Sequence, residues 1–373
     1  MTNKALITAN LVESITHDVI SINHNVVRWA KYPLAHGYNE MGKQSLNMIA
    51  SFLLLQQAKN MGLQVDETRM PYIALKRLIE KTINGDIRDD HLFKILALGN
   101  IDKKDFDALI EAKIFGKMSG LSQKLLEVDE DWLETKIYKI ATKMATLVES
   151  KEIPPNDSAT EMELFSQISC YTESSPELVA IALNTSRPEY SFLKEVSKLR
   201  GAIRWLKQFR ATDCTVLEHL AETAIFAWLM SKELNPEDEI KAARLFWAGL
   251  FHDLPERWTG DMASPVKDAV PGLRKATELY EDLTMETHVY SVLPEFEASA
   301  IRQVMDDAGR RYKKLVKGAD YASATMECFR NIMCGSRDRY FINVIKKTYE
   351  ERDSFTPVFA EVIERIYVEV LKS

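Results

Sequence analysis

The stretch Glu218–Leu234, EHLAETAIFAWLMSKEL, repeats apolar side chains at spacings of three and four, the period of a helix with a buried face. The same spacing runs through QSLNMIASFLLLQQAKNMG (Gln44–Gly62), LETKIYKIATKMATLVES (Leu133–Ser150) and PVFAEVIERIYVEVLKS (Pro357–Ser373). Alternating β-branched runs bounded by turn residues, which would read as strands, are scarce. The chain therefore reads as all-α, with connections of ordinary length.

At 373 residues, with 46% hydrophobic and 28% charged side chains, the chain has the make-up of a globular protein long enough for two domains. Its formal charge of −7 excludes a broad cationic surface for duplex nucleic acid or anionic membranes. The opening MTNKALITANLVESITHD carries no signal-peptide core, and no apolar run approaches the roughly 20 residues of a membrane helix. Four cysteines, Cys170, Cys214, Cys328 and Cys334, form no CxxC pair and read as reduced thiols of a cytoplasmic protein.

The segment KEIPPNDSAT (Lys151–Thr160) looks like a linker: Pro154-Pro155 stop a helix, and Asn156, Asp157 and Ser158 can cap the next. Helical spacing resumes at Glu161–Tyr171, and a second break, NTSRPEYS, falls at Asn184–Ser191. An internal comparison decides between them. VVRWAKYPLAHGYNEMGKQSLNM matches AIRWLKQFRATDCTVLEHLAETA, setting Arg28-Trp29 against Arg204-Trp205. KTINGDIRDDHLFK matches ERWTGDMASPVKDA, setting Gly85-Asp86 against Gly260-Asp261, and KIYKIATKMATLVES matches KLVKGADYASATMEC, setting Lys139 against Lys317. The offsets are 176, 175 and 178 residues. Three matches in one order at a nearly constant offset mark a duplication, with the boundary at the second break: residues 1–189 and residues 190–373.

Chemistry concentrates in the second copy. Helical spacing puts His219 near Val216, Thr223 and Phe226, on a mostly inward face. His252-Asp253 end the apolar run RLFWAGLFHDLPE, and Asp320 sits in KLVKGADYASA. Each alone reads as a core hydrogen bond or ion pair. Two imidazoles and two carboxylates on buried helices need partners, because an unpaired buried carboxylate is very costly. One divalent cation satisfies all four, and mixed nitrogen and oxygen ligation suits Mn, Fe, Co, Ni or Zn better than Ca or Mg.

The order His … His-Asp … Asp, with gaps of 33 and 67 residues, resembles the HD-domain metal-dependent phosphohydrolases. The resemblance narrows at HDLPERWTGDMASPVK (His252–Lys267) and at Arg204-Trp205 ahead of His219, where it is that of the YfbR-like 5′-deoxynucleotidases, over about Arg200–Arg330. It implies two tandem HD-like helical bundles forming a pseudo-dimer, since these enzymes are homodimers and a fused copy could take the partner's place. It implies one metal on His219, His252, Asp253 and Asp320, with Glu256 and Asp261 in acid–base and water-orienting roles. Arg204 and Trp205 would bind substrate, and Lys267 could approach phosphate. The expected reaction is removal of the 5′-phosphate from deoxynucleoside monophosphates. The alternatives are cleavage of triphosphate or pyrophosphate from a dNTP, or a non-catalytic nucleotide sensor. The partner is a small nucleotide, not nucleic acid or a membrane, and further homo-oligomerisation stays open.

Simpler roles stand beside these. Glu256 could be a surface carboxylate beside Arg257, Asp261 an N-cap, Trp205 a core residue and Lys267 an exposed helix lysine. Pro255 should interrupt the helix before Glu256. His17-Asp18 is a His-Asp pair without an upstream histidine, and only His288 remains in the second half, so one metal is favoured over two. Projected backwards, His219, His252, Asp253, Glu256 and Asp320 fall on Lys43, Arg77, Leu78, Lys81 and Thr142. The first copy should hold no catalytic metal. It is either a structural partner or, with Lys43 and Arg77 supplying positive charge, a regulatory nucleotide site.

Overall fold

The computed structural model describes residues 6–29, 37–85, 87, 89–152, 162, 166, 175–260 and 264–372. The Pro154-Pro155 linker, most of Glu161–Tyr171, Asp86 and Asp261 fall outside these. The protein is all-α: among the described residues the β pairings are two isolated antiparallel bridges, Val27–Asn39 and Ile203–Thr215.

The helices that build the site and the seam between the halves are α1 (Glu40–Asn60), α2 (Met70–Asn84), α3 (Leu133–Glu152), α4 (Pro188–Ser197), α5 (Val216–Leu234), α6 (Glu239–Phe251), α7 (Glu256–Thr259), α8 (Glu295–Asp306) and α9 (Lys313–Met333). Helices α1 and α5 start alike. The Asn39 side chain accepts the Gly42 amide at 2.9 Å, and the Thr215 hydroxyl accepts the Glu218 amide at 3.3 Å. Each helix is buried over most of its length, Glu40 to Ala58 and Val216 to Lys232, as a helix surrounded by others must be. They pack against each other, with α3 on α1 and with α6 and α9 on α5.

The seam is apolar. Phe52 of α1 meets Trp247 and Phe251 of α6 with ring centroids 5.2 and 5.0 Å apart, and Tyr72 of α2 meets Trp228 of α5 at 5.0 Å. One continuous core draws on both halves. The 189/190 position falls inside α4, because Pro188 opens that helix at N1 instead of lying in a break. Helix α4 packs on α1 and α3.

Local details repeat across the halves. Trp29 and Trp205 both occupy the left-handed region, with φ of 56° and 59°. That conformation costs a side chain with a Cβ about 1–2 kcal/mol, and each indole is tied down by a glutamate: Trp29 Nε1 donates to Glu149 at 3.1 Å, Trp205 Nε1 to Glu327 at 2.7 Å. The segments before these tryptophans are exchanged. Arg200 reaches into the first half to pair with Glu149 at 3.2 Å and lie 4.2 Å over the Tyr38 ring. His24, its counterpart 176 residues earlier, reaches Glu218 at 2.7 Å in the second. Gly37 (φ 93°) allows the first of these approaches, since a Cβ there would lie 2.5 Å from the Arg200 carbonyl oxygen.

Candidate metal centre

Three helices of the second half converge on one point. Helix α5 supplies His219, the turn that ends α6 supplies His252 and Asp253, and α9 supplies Asp320. Gly249 makes the convergence possible. A Cβ there would stand 2.8 Å from both the Ala224 Cα and the Thr223 carbonyl, so only glycine lets α6 settle this closely on α5. One ligand atom from each of His219, His252, Asp253 and Asp320 lies within 4.8 Å of the others.

Both imidazoles are anchored from behind. His219, fully buried, uses Nδ1 toward the Ser323 hydroxyl and the Glu327 carboxylate, each at 2.9 Å. His252 donates from Nδ1 to the Gly249 carbonyl at 2.8 Å. A carbonyl only accepts, so the His252 proton sits on Nδ1 and its Nε2 lone pair faces the cluster. His219 Nε2 is 3.2 Å from Asp320 Oδ1 and 3.8 Å from Asp253 Oδ2, and His252 Nε2 is 3.1 Å from Asp253 Oδ2. Anchored Nδ1 with Nε2 inward is how metal-ligating histidines are oriented.

The charges fit a cation. Burial opposes ionisation of Asp253, but His252 prevails and holds its pKa down to about 2. Burial likewise opposes Asp320, yet the His219 hydrogen bond and Lys317, whose ammonium lies 2.7 Å from Oδ2, hold it well below the usual range. Burial and Arg204 act to lower the His219 pKa, and its bonds to Asp320 and Glu327 overcome them, raising it to about 9. Asp320 and Glu327 therefore draw a proton onto His219, a place a divalent cation would take instead. The donor set fits such an ion.

The other expected residues are placed less uniformly. Helix α6 stops at Phe251, residues 252–255 form a turn, and Glu256 opens the short α7, as Pro255 demands. Arg257 pairs with Glu195 at 2.7 Å. Arg204 gives its Nε to Glu327 at 3.0 Å, so Arg204 and Trp205 both bind the carboxylate that orients His219. Lys267 lies 3.3 Å from Glu281. His17 packs edge-on against Phe329 and Asp18 lies 3.2 Å from Lys117, and neither joins these four ligands. Asp261 is outside the described residues.

Glu327 and Ser323 were not foreseen. Both share a face of α9 with Asp320, Ser323 three and Glu327 seven residues on, and Glu149 aligns with Glu327 in the matched segments. An acid kept at one place in both copies was the available signal.

The matching place in the first half is filled. The Lys43 ammonium donates to the Thr146 hydroxyl at 2.7 Å and the Thr142 carbonyl at 3.1 Å, with Glu149 at 3.7 Å. Arg77 pairs with Glu80 and Glu130 at 2.6 and 2.8 Å. Neither cation is held ready for a phosphate, so the regulatory-site expectation loses its residues.

A His … His-Asp … Asp set closed by three helices in this way defines a helical domain of HD type. The second half is similar to the YfbR-like family: the model described as 5′-deoxynucleotidase YfbR-like matches residues 191–363. A 5′-deoxynucleotidase of Vibrio vulnificus is 25% identical over 186 residues, which are 47% of this chain and 95% of that protein. One of Photorhabdus laumondii is 23% identical over 48% of this chain and 98% of its own length. The 5′-deoxynucleotidase YfbR of Escherichia coli is 24% identical over 45% and 89%. Half of this chain thus spans nearly a whole relative.

Proposed function

We propose that the second half is a metal-dependent phosphohydrolase that removes the 5′-phosphate from deoxynucleoside monophosphates, and that the first half is its catalytically silent partner. The observation that carries the reading is the pair of anchored imidazoles facing two ionised aspartates within a domain that matches 5′-deoxynucleotidases end to end. His219, His252, Asp253 and Asp320 would hold one divalent ion of the Mn, Fe, Co, Ni or Zn kind. Bound there, such an ion supplies positive charge toward the phosphoryl oxygens and lowers the pKa of water. Glu327 keeps His219 oriented. Arg204 spends only its Nε on Glu327, and its terminal nitrogens, without a hydrogen bond among the described residues, form a fork suited to phosphate. Glu256 and Asp261 are assigned proton transfer and water orientation, and Lys267 a place near the phosphate. Free thiols at Cys214, Cys328 and Cys334, the cysteines among the described residues, fit a cytoplasmic setting.

A triphosphate substrate has one observation in its favour. A cavity of about 730 Å³ is lined by Lys241, Arg310, Arg311, Lys313, Lys314 and Lys317, and Lys317 is one turn before Asp320. That is more positive charge than a monophosphate needs. Phosphate release over all dNMPs, NMPs and dNTPs with Mn, Co, Mg and Zn separates the readings: orthophosphate and nucleoside support the first, tripolyphosphate or pyrophosphate the second. No release from any of them removes both.

The silent-partner reading draws support from the shared core and the exchanged segments. A second half (residues 190–373) that is monomeric and fully active by itself would count against it; self-association through the uncovered apolar face is expected.

A further inference from the structure

The exchange of segments across the seam leaves the two halves unequal in one respect. In the first half the visitor is Arg200, a permanent cation against Glu149 and Tyr38. In the second the visitor is His24, and around it stand Cys214 and Glu218, where the first half has Tyr38 and Gly42. We propose that His24, Cys214 and Glu218 form a second divalent-cation site, selective for zinc-like ions, that joins the two halves of the chain.

One donor atom from each of the three lies within 4.8 Å of the others. Imidazole, thiolate and carboxylate together suit Zn²⁺ or Co²⁺ and not Ca²⁺ or Mg²⁺. His24 Nδ1 is 2.7 Å from Glu218 Oε2, while its buried Nε2 makes no hydrogen bond among the described residues and stands 3.5 Å from Glu222 Oε2. The Cys214 sulfur is buried with only a 3.7 Å contact to the Thr215 carbonyl. Three buried carboxylates, Glu218, Glu222 and Glu327, face two arginines, Arg204 and Arg330. His24 stands among them where the other half places its arginine. A cavity of about 200 Å³, lined by His17, His24, Cys214, Glu327, Arg330 and Cys334, leaves room for water as a fourth ligand. On binding, the Cys214 thiol gives its proton to solvent and the sulfur takes up the ion.

Cobalt(II) loaded into the full chain tests this, because sulfur ligation gives a near-ultraviolet charge-transfer band that the four ligands of the proposed catalytic centre cannot produce. Two cobalt ions per chain and the band are expected. Cys214→Ser should remove the band and one ion, and His24→Ala should lose the same ion. Asp253→Asn should keep the band and lose the other ion. One ion per chain without a band, or a band unchanged in Cys214→Ser, overturns the second site and leaves the catalytic centre standing. A band with one ion that Asp253→Asn does not affect overturns the catalytic centre alone.

Discussion

Glu149 and Glu327 occupy one place in two copies of a fold, and their surroundings differ in the basic side chains that meet them. Each carboxylate is fully buried, accepts a tryptophan indole and pairs with the arginine before it. Around Glu149 the remaining partners are Arg200 and Lys43, whose pKa burial pushes well down against the pull of Glu149. Around Glu327 it is His219, which turns its second nitrogen to Asp320 and Asp253. Burial opposes both carboxylates, and their cationic neighbours hold Glu149 at about 2 and Glu327 lower still. The scaffold thus demands positive charge beside the glutamate in either copy. A lysine ammonium meets that demand within the chain and closes the place; an imidazole meets it only in part and passes the demand outward, to an ion.

The strongest way to break this contrast is to remove one of the paired aspartates. Asp253→Asn should lose the ion and lower phosphate release about a thousandfold or more in a protein that still folds. Metal content and turnover measured on the same sample must fall together. Metal content undiminished from the parent in a folded Asp253→Asn protein would falsify the ligand assignment.

Next in size is the glutamate itself. Glu327→Gln and Glu149→Gln each leave a buried arginine short of its counter-charge, a loss of about 3 kcal/mol by denaturant unfolding. The copies should then part company: Glu327→Gln also cuts kcat, because His219 loses its anchor, while folded Glu149→Gln turns over as the parent does. Equal effects on kcat would mean that the first half takes part in the chemistry.

What the sequence disclosed follows the same divide. His219, His252, Asp253 and Asp320 were legible because their residue types in that order carry chemistry, and the helical period placed them on inward faces. Glu327 was not, since a buried glutamate on an amphipathic helix looks like any other until its partners are known. The His24–Glu218 contact joins residues 194 positions apart, and no local pattern encodes such a meeting. NTSRPEYS reads as one break, and the structure divides it: residues 184–187 form the turn, while Pro188 takes the first position of a helix, so 189/190 lies just inside α4.

A subtler probe lies at the seam. The Gln57 amide of α1 donates to Glu189 of α4 at 2.6 Å and to Glu297 of α8 at 2.7 Å. Arg187 neutralises Glu189 at 2.6 Å, and burial together with the Glu189 charge pushes the Glu297 pKa up to about 8. The folded protein therefore keeps a proton that the unfolded chain releases near pH 4.5. This contribution to stability is whole below pH 4.5, falls as pH rises, and is gone above about 8. Glu297→Gln should remove the dependence. The parent's advantage over the variant should shrink by at most about 1.4 kcal/mol per pH unit across that window, read from urea midpoints at several pH values. A difference that does not vary with pH would show that Glu297 is ionised in the fold.

The smallest expected effect is the sharpest test of how much separates the copies. Lys43→His restores the residue type that His219 represents, at a place where Glu149 could hold its Nδ1 as Glu327 holds that of His219. Yet Thr142 stands where Asp320 would be, offering a carbonyl to the Lys43 ammonium at 3.1 Å, and Leu78 stands in place of Asp253. One imidazole without carboxylates does not hold a divalent ion at ordinary concentrations, because ligand number and charge set the affinity. Metal per chain should be unchanged from the parent within error, and activity likewise. A gain of one ion per chain would mean that the first half keeps ligands the alignment does not reveal, and that its silence rests on Lys43 alone.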